Sequence, residues 1–385
     1  MLILKILFRN SFRNKLRTGL TILGITIAIL SFGLLRTVIG AWYKGVEASS
    51  ATRLVTRNAV SLVFPLPLSY RDRISQINGV KTVSYGNWFG GVYIDEKHFF
   101  PNFAVEPKSY LELYPELVLL PHEKEAFLRD RRGCIAGRKL AAQYGWKVGD
   151  LVTLKGKIFL GDWDFVIRGI YRGRDENTDE TQFIFHWDYL NETLKKRRVS
   201  WTDQVGFYMI GVTRPELAAE VAAAVDSLFN NSLAETLTET EKAFQQGFIS
   251  MSGAIVTAIQ LVSMVIIIII MGVVANTMAM TTRERFGEYA ILKTLGYGGR
   301  HIAGMILGES GVITLIGCLL GMVFTFPAAR AFSSALPNFF PVFHVGAKTL
   351  YLDLAAAFLV ALAAAVIPIQ RAIGIRIADG LRRIG

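Results

Sequence analysis

The sequence predicts a membrane protein with four transmembrane helices and a large α+β extracytoplasmic domain inserted between helices 1 and 2. Three observations predict this architecture. Hydrophobic residues make up 52% of the 385 residues and charged residues 19%, whereas soluble domains carry about 25% charged residues. Four long runs are almost free of charge. Between Lys44 and Lys242, 26 basic residues balance 26 acidic ones, so the whole net charge of +11 lies around the apolar runs.

Each apolar run is long enough to cross about 30 Å of hydrocarbon, which takes about 20 helical residues. The first run, residues 18–35, has no charged side chain, and the third contains one acid, Glu309. Asp353 stands just before the fourth run. The predicted segments are helix 1 at 18–41, a stalk with helix 2 at 245–282, helix 3 at 301–329 and helix 4 at 351–370.

Lysine and arginine in the connections predict the orientation, because they are retained on the cytoplasmic side. They are concentrated in three segments, 1–17, 283–300 and 371–385. The connection 330–350 has only Arg330 and Lys348. Both termini are therefore predicted to be cytoplasmic, and residues 42–244 extracytoplasmic. A cleaved signal peptide is the alternative for the first run, but Arg36 follows that run where an A-x-A cleavage site would be expected.

The inserted segment mixes strand and helix patterns. In residues 163–171, Phe165, Ile167 and Tyr171 share one face, as in a half-buried strand. Further predicted elements are a helix at 69–77, a strand from Val80, a strand at 204–212 and a helix at 217–228. This mixture predicts an α+β domain that is long enough to form its own hydrophobic core.

The residue patterns exclude several function classes. The chain lacks the phosphate-binding pattern G-x-x-x-x-G-K-[ST], the zinc-protease pattern H-E-x-x-H and the nucleophile pattern G-x-S-x-G. Its two cysteines cannot form a disulfide framework, and its five histidines are scattered singly. A nucleic-acid-binding module needs basic residues on one folded face, whereas here they flank apolar runs. We therefore expect that this protein is not an enzyme and that it has no catalytic, cofactor-binding or metal-binding residue. We also expect no nucleic-acid partner.

The connection between helices 2 and 3 mixes acidic, basic and aromatic residues. Glu284 and Glu288 lie four residues apart, and glycines begin at Gly296, which predicts a short helix that ends there. A plain connecting helix is the alternative interpretation. The candidate functional residues of this loop are Arg283, Glu284, Arg285, Phe286, Gly287, Glu288, Tyr289, Leu292, Lys293, Leu295 and Gly296.

Two further segments have distinctive patterns. Four basic residues repeat at intervals of four near the N-terminus, namely Lys5, Arg9, Arg13 and Arg17. An apolar row runs beside them, which predicts an amphipathic helix at 1–17 in contact with membrane lipids; a charged flank of helix 1 is the alternative. The uncharged stretch 243–282 would reach about 60 Å as one helix. The surplus over the hydrocarbon thickness predicts a stalk toward the inserted domain.

Small and charged residues inside the spans are candidates for helix packing. Two glycine pairs lie in predicted helix 3, Gly304 with Gly308 and Gly317 with Gly321. Their spacing of four lets helices approach closely, although small residues are common in any span. A charge inside the membrane is functional or paired unless it reaches the interface. For Arg36 we favour the interpretation that its side chain reaches the interface. For Glu309 two interpretations stay open: a functional or paired charge, or a side chain that reaches the interface.

Several stretches resemble a known family. They are residues 14–25, 137–141, 148–150, 283–296, 368–372 and 377–382. The first is similar to an N-x-x-R-T-x-L-T-x-L-G-I entry into span one, and the loop to R-E-I-G-I-L-R-A-L-G. The ending is similar to P-x-x-R-A…A-L-R, and the two central stretches to a periplasmic core. Over nearly its whole length the sequence resembles the MacB/FtsX-like permeases of ABC transporters, including the LolC and LolE lipoprotein-release subunits.

The resemblance implies a mechanism. Two permease copies, a homodimer or a pair of related permeases, would bind two copies of a separate cytoplasmic ATPase that holds ATP and Mg²⁺. The loop 283–296 would be the coupling helix, with Glu288, Tyr289 and Leu292 touching the ATPase. Hydrolysis would move the periplasmic domain by mechanotransmission and export or release a hydrophobic cargo (lipoprotein, lipid, peptide or drug). Further partners would be a periplasmic adaptor with an outer-membrane factor, or a lipoprotein carrier, at a bacterial inner membrane.

Two departures from the family pattern affect this interpretation. MacB carries a fused ATPase ahead of its first span, whereas seventeen residues precede the first run here, which predicts a stand-alone permease subunit. Residues 288–290 are Glu-Tyr-Ala where the family has Glu-Ile-Gly. The alternative function is an FtsX-like, non-transporting signalling protein that regulates cell-wall hydrolases, although FtsX-like outer domains are smaller. A receptor or a membrane-bound enzyme is a third reading.

Overall fold

A computed structural model describes residues 2–175, 177–199, 201–251, 253–335 and 343–374. The chain forms two compact units, a membrane unit (residues 2–40, 253–335 and 343–374) and an inserted domain (the described residues of 41–251). Among these described residues, four helices are long and apolar enough to cross a membrane, which confirms the predicted four spans. The candidate spans are Lys15–Ala41, Gly253–Glu284, Gly299–Ser333 and Ala347–Gly374.

Thirteen helices and thirteen strands are described. The helices are α1 (Leu2–Ser11), α2 (Lys15–Ala48), α3 (Tyr70–Ser75), α4 (Pro107–Leu113), α5 (Pro121–Arg129), α6 (Arg138–Tyr144), α7 (Trp187–Lys196), α8 (Ala218–Leu228), α9 (Glu241–Met251), α10 (Gly253–Glu284), α11 (Phe286–Thr294), α12 (Gly299–Ala335) and α13 (Ala347–Gly374). The strands are β1 (Arg53–Asn58), β2 (Leu66–Pro67), β3 (Val80–Trp88), β4 (Gly91–Tyr93), β5 (Asn102–Val105), β6 (Leu117–Val118), β7 (Gly133–Gly137), β8 (Leu151–Gly156), β9 (Gly161–Gly173), β10 (Phe183–His186), β11 (Gln204–Val205), β12 (Phe207–Val212) and β13 (Thr236–Thr240).

The spanning helices extend beyond the predicted boundaries. α12 begins at Gly299 and reaches Ala335, and α13 reaches Gly374. An apolar run marks the hydrocarbon thickness, whereas the helix itself continues through flanking residues that also favour helix. Ser252 lies outside the described residues, so the stalk through 243–282 stays a prediction. The tail 375–385, with its family-like stretch 377–382, and the loop residues 336–342 also lie outside the described part.

The N-terminal segment differs from the predicted single amphipathic helix at 1–17. α1 ends at Ser11 and α2 begins at Lys15. The Ser11 hydroxyl donates to the Leu7 carbonyl at 2.8 Å, and the Thr18 hydroxyl donates to the Ser11 carbonyl at 2.6 Å. Short polar side chains that bond to nearby backbone compete with a continuous helix. The basic row is therefore divided between two helices, with Arg13 in the connection.

The inserted domain is built on an eleven-stranded mixed sheet in the order β13-β1-β12-β3-β5-β10-β7-β9-β8-β4, with β6 paired to β9. Only β5 with β10 and β7 with β9 are parallel among the described pairs. In β9, Phe165, Ile167 and Tyr171 are fully buried, while Asp164 and Arg168 are half-exposed. This alternation confirms the predicted half-buried strand. The predicted α+β domain and the elements α3, β3 and α8 are confirmed as well.

The predicted strand at 204–212 is wrong as a single element. β11 pairs with β2 in a separate two-stranded sheet, whereas β12 pairs with β1 and β3 in the large sheet. Gly206 separates them, and its N–H donates to the Gly86 carbonyl at 2.9 Å. Glycine in a strand pattern permits such a change of partner, since it allows close backbone approach.

A buried arginine holds together the two places where the chain enters and leaves the inserted domain. The Arg53 Nε donates to Glu241 at 2.8 Å, and its Nη2 lies 2.7 Å from Glu116. Its guanidinium also stacks over the Tyr114 ring, 4.3 Å from the centroid. Arg53 begins β1 and Glu241 begins α9, so this ion pair anchors the first strand to the last helix of the domain.

A buried histidine predicts a pH dependence of stability in the inserted domain. His186 is 3% exposed, and its Nε2 donates to the Phe127 carbonyl at 2.6 Å. Burial lowers the pKa of His186 below its usual 6.5, despite the hydrogen bond to Phe127. Below pH 6.5 the unfolded chain therefore binds a proton that the folded domain does not, so stability falls as the pH falls.

This pH dependence is measurable by tryptophan fluorescence, because all six tryptophans lie between residues 42 and 201. We expect the unfolding temperature of the inserted domain to fall between pH 6.5 and 5, and to fall less in His186→Gln. Equal pH slopes in the two proteins would contradict the assignment.

Candidate functional site

The loop between the second and third spanning helices contains the predicted short helix. α10 ends at Glu284, Arg285 interrupts the helix, and α11 follows at Phe286–Thr294. Glu284 therefore belongs to the spanning helix and not to the loop helix, which corrects the predicted grouping. Gly296 has φ +89°, a conformation that favours glycine, and it ends the turn that leads to α12.

Glu309 is paired with an arginine from this loop. Arg285 donates through Nη1 to Glu309, and through Nε to Glu288 at 2.8 Å. The side chain of Glu309 is 2% exposed and that of Arg285 is 8% exposed. Glu309 therefore does not reach for the membrane interface; of the two interpretations left open by the sequence, the structure favours the paired one.

More exposed ion pairs extend from the same point to the N-terminal segment. Arg13 pairs with Glu288, and Arg17 pairs with Glu284 at 2.7 Å. Burial opposes ionisation of Glu288, but the hydrogen bonds from Arg285 and Arg13 hold its pKa below the usual range. Exposed pairs contribute little to stability, about 0–1 kcal/mol each. They nevertheless connect the α1–α2 segment, α10 and α11 around the buried Arg285–Glu309 pair.

The faces of α11 bear on the hypothesis about which residues touch a partner. Tyr289 is 1% exposed and packs into the membrane-unit core together with Ala290. Burial raises the pKa of Tyr289 to about 12. Leu292 is half-buried against the same core. The pattern of the loop predicts a helix but does not show which face is covered. The contact role of Tyr289 stays a prediction, and its burial argues against it.

The opposite face of the loop is apolar and exposed. Ile291, Leu295 and Tyr297 are 45%, 69% and 49% exposed. We call these three side chains the exposed loop face. The sequence alone indicated only Leu295 of these. Ile291 belongs to α11, whereas Leu295 and Tyr297 lie in the turn that follows its end.

The loop also contacts the end of the fourth spanning helix. The Lys293 ammonium donates to the Ile373 carbonyl at 2.7 Å. Gly299, at the start of α12, has Ile373 Cγ2 within 3.2 Å of the position that a Cβ would take. α11 thus follows α10 along the chain and is connected to the α1–α2 segment, α12 and α13 through Arg13, Arg285 and Lys293.

The predicted packing glycines fall into two groups. A Cβ on Gly317 would lie 2.7 Å from Ile25 Cβ, and one on Gly321 would lie 2.7 Å from Ile29 Cβ, so these two glycines let α12 approach α2 closely. A Cβ on Gly308 would lie 2.8 Å from Leu7 Cδ1. A Cβ on Gly304 would meet no described atom from another element within 4 Å, so the described structure shows no close helix contact at Gly304 and its packing role stays a prediction.

Substitution with alanine is expected to separate these groups. Gly317→Ala and Gly321→Ala force a contact that real Cβ atoms do not make, and overpacking of this kind costs about 1–3 kcal/mol. Gly304→Ala is the matched control, because its Cβ meets open space. Thermal unfolding can be followed by thiol labelling of buried Cys318 in a Cys134→Ala background. Equal midpoints for Gly317→Ala and Gly304→Ala would show that the close approach is not needed.

The described residues contain no group of three His, Cys, Asp or Glu side chains that could hold a metal ion.

Comparison with known protein families identifies the chain. The family model of the MacB-like periplasmic core domain matches residues 18–228, which is more than half of the chain. The FtsX-like permease C-terminal model matches residues 260–377. The chain belongs to the MacB/FtsX-like permease family. It is an ABC transporter permease of this type, with the large domain inserted after the first span.

Individual relatives of the permease share low sequence identity with it. An uncharacterised ABC transporter permease of Methanocaldococcus jannaschii is 26% identical over 342 residues, covering 82% of this chain and 80% of the relative. The extracellular domain of the noncanonic ABC-type transporter YknZ from Gram-positive bacteria has a TM-score of 0.37 at 11% identity, covering 49% of this chain and 100% of that domain. The periplasmic region of MacB from Actinobacillus actinomycetemcomitans has a TM-score of 0.38 at 9% identity, covering 53% of this chain and 95% of that region.

Proposed function

We propose that a separate cytoplasmic ABC ATPase drives this permease by binding the exposed loop face, Ile291, Leu295 and Tyr297. The observation that carries the proposal is the two-sided character of α11 and the turn that follows it. One side is buried through Tyr289 and Ala290, and the other exposes apolar side chains. Exposed apolar groups on a structured element are typical of a protein interaction site.

The contacts of the loop support a mechanical role. Arg285 joins α11 to Glu309 of α12, and Arg13, just before α2, pairs with Glu288 of α11. Arg17 of α2 pairs with Glu284 at the end of α10. Lys293 joins it to the end of α13. A displacement of α11 by the ATPase would therefore act on all the spanning helices. α2 is helical from Lys15 to Ala48 and leads directly into the inserted domain along the chain, so we propose that ATP hydrolysis moves that domain.

The proposed cargo is a hydrophobic or lipidated molecule on the outer side of the membrane, with two permease copies and two ATPase copies in the complex. ATP and Mg²⁺ are then bound by the ATPase. The match to the MacB-like core domain supports this transporter function over the FtsX-like signalling alternative. A periplasmic adaptor with an outer-membrane factor, or a lipoprotein carrier, completes the proposed set of partners.

The proposed location is a bacterial inner membrane, with both termini cytoplasmic and the inserted domain periplasmic. The distribution of basic residues supports this orientation, because they are concentrated in the terminal segments and the α10–α12 connection.

Affinity purification in mild detergent from the native host, with a photo-crosslinker at Leu295, tests the proposed function. We expect an ABC ATPase at about one copy per permease, crosslinked at Leu295. An adaptor or a lipoprotein in the same sample would distinguish efflux from lipoprotein release. A purified permease without an ATPase, even after crosslinking, would overturn the proposal.

A further inference from the structure

A second buried carboxyl group lies in the membrane unit, near a part of α12 that is distant in sequence from Glu309. Asp353, in α13, is 0% exposed. Neither of its carboxyl oxygens has a hydrogen-bond partner among the described residues. An ionised carboxylate without a partner in an apolar interior is strongly unfavourable, so such a group neutralises itself by taking up a proton.

Three helices meet at this carboxyl group. Asp353 Oδ2 lies 3.1 Å from the position that a Cβ on Gly33 would take, and Thr325 Oγ1 lies 3.2 Å from the same position. Because Gly33 has no side chain, the carboxyl packs directly against the backbone of α2. The Thr325 hydroxyl donates to the Gly321 carbonyl at 2.8 Å, so its hydrogen is already used.

An arginine with an unused donor lies one helical turn away on α2. Arg36 follows Gly33 by three residues, and residues at this spacing are neighbours on a helix surface. Its Nε is buried and has no partner among the described residues, while its guanidinium lies 5.3 Å from the Phe32 ring centroid. No ion pair joins Arg36 to Asp353 in the described structure, although the two groups carry complementary chemistry.

The other charged and titratable groups on the surrounding helices are distant, paired or exposed. α10 has none between Gly253 and Thr282. On α12, Glu309 is paired with Arg285 and Arg330 is exposed. The Cys318 thiol lies 3.8 Å from the Asp353 backbone carbonyl and 3.7 Å from Met322 Sδ. On α13, the neighbouring Lys348 and Tyr351 are exposed. Arg36 is therefore the cation best placed to pair with Asp353.

We propose that Asp353 is a proton-binding site of the membrane unit and that Arg36 competes with the proton for its carboxylate. In the described conformation the carboxyl is protonated and Arg36 is separate. When the proton leaves to water, the carboxylate pairs with the guanidinium, and no other bond changes. Pro327, two residues beyond Thr325 in α12, removes one helix hydrogen bond and eases the local rearrangement. This site is independent of the loop and of the ATPase.

Infrared spectroscopy of the full chain in lipid nanodiscs tests the proton site. At pH 7 we expect a protonated-carboxyl C=O band that Asp353→Asn removes. Glu288→Gln is the matched control and should leave the band in place, because the hydrogen bonds from Arg285 and Arg13 outweigh burial and hold the pKa of Glu288 below its usual range. A wild-type spectrum without this band, or a band that survives in Asp353→Asn, would overturn the proposal.

A pH titration of the same band tests the part played by Arg36. In Arg36→Gln the competing cation is absent, so the band should persist to a pH about one unit higher or more than in the wild type. Identical titrations in the two proteins would exclude Arg36 as the competitor. Neither measurement involves an ATPase, so the outcome is separate from that of the proposed function.

Discussion

Replacing Arg285 with methionine is expected to destabilise the membrane unit by about 3–5 kcal/mol, because it leaves the buried carboxylate of Glu309 without its partner. The pair is almost completely shielded, with side-chain exposures of 8% and 2%. Unfolding can be measured by thiol labelling of Cys318 in a Cys134→Ala background, where Cys318 is the one remaining cysteine.

The double variant Arg285→Met with Glu309→Leu is the control for this prediction. Replacing both members of a buried ion pair with apolar residues is often neutral or stabilising. We therefore expect the double variant to recover most of the lost stability. A single variant as stable as the wild type, or a double variant no better than the single one, would show that the buried pair does not hold the loop.

Replacing Leu295 with aspartate is expected to weaken binding of the ATPase by about a hundredfold without unfolding the permease. Burying a leucine side chain is worth about 1.5–3 kcal/mol, and each 1.4 kcal/mol is about tenfold in affinity. Leu295 is 69% exposed and makes few contacts that folding depends on. The measurement is the amount of ATPase that remains with the permease during affinity purification.

Leu233→Asp is the matched control, since Leu233 is also an exposed leucine but lies in the inserted domain. It should leave ATPase binding unchanged. The Leu295 variant should retain the thermal unfolding midpoint of the wild type, which separates a lost contact from a lost fold. Normal ATPase retention in Leu295→Asp would exclude the exposed loop face as the docking site.

The span count, the inserted domain and the family could all be predicted from the sequence. An uncharged run of about twenty residues can be recognised from neighbouring residues alone, because the hydrocarbon thickness sets its length. The alternation in β9 is equally local, since successive strand residues point to opposite faces. The prediction of one strand at 204–212 is wrong because Gly206 marks a change of sheet. The Gly86 carbonyl that accepts from the Gly206 N–H is distant in sequence, so no local pattern shows this change.

The state of each membrane charge required the tertiary structure. The sequence shows Glu309 and Asp353 as two acids near apolar runs, and nothing in either pattern distinguishes them. The fold places Arg285 beside Glu309, whereas Asp353 packs against the bare backbone at Gly33. Which arginine reaches which acid depends on how distant helices pack, and apolar periodicity carries no information about that.

The same division holds for the loop and the glycines. A short helix between the second and third spans, and the recurring glycines in the third, can be predicted from residue order alone. The burial of Tyr289, the exposure of Leu295, the contact of Gly317 with Ile25 and the open space at Gly304 depend on how the helices pack. A helix surface acquires a buried side only when another element packs on it.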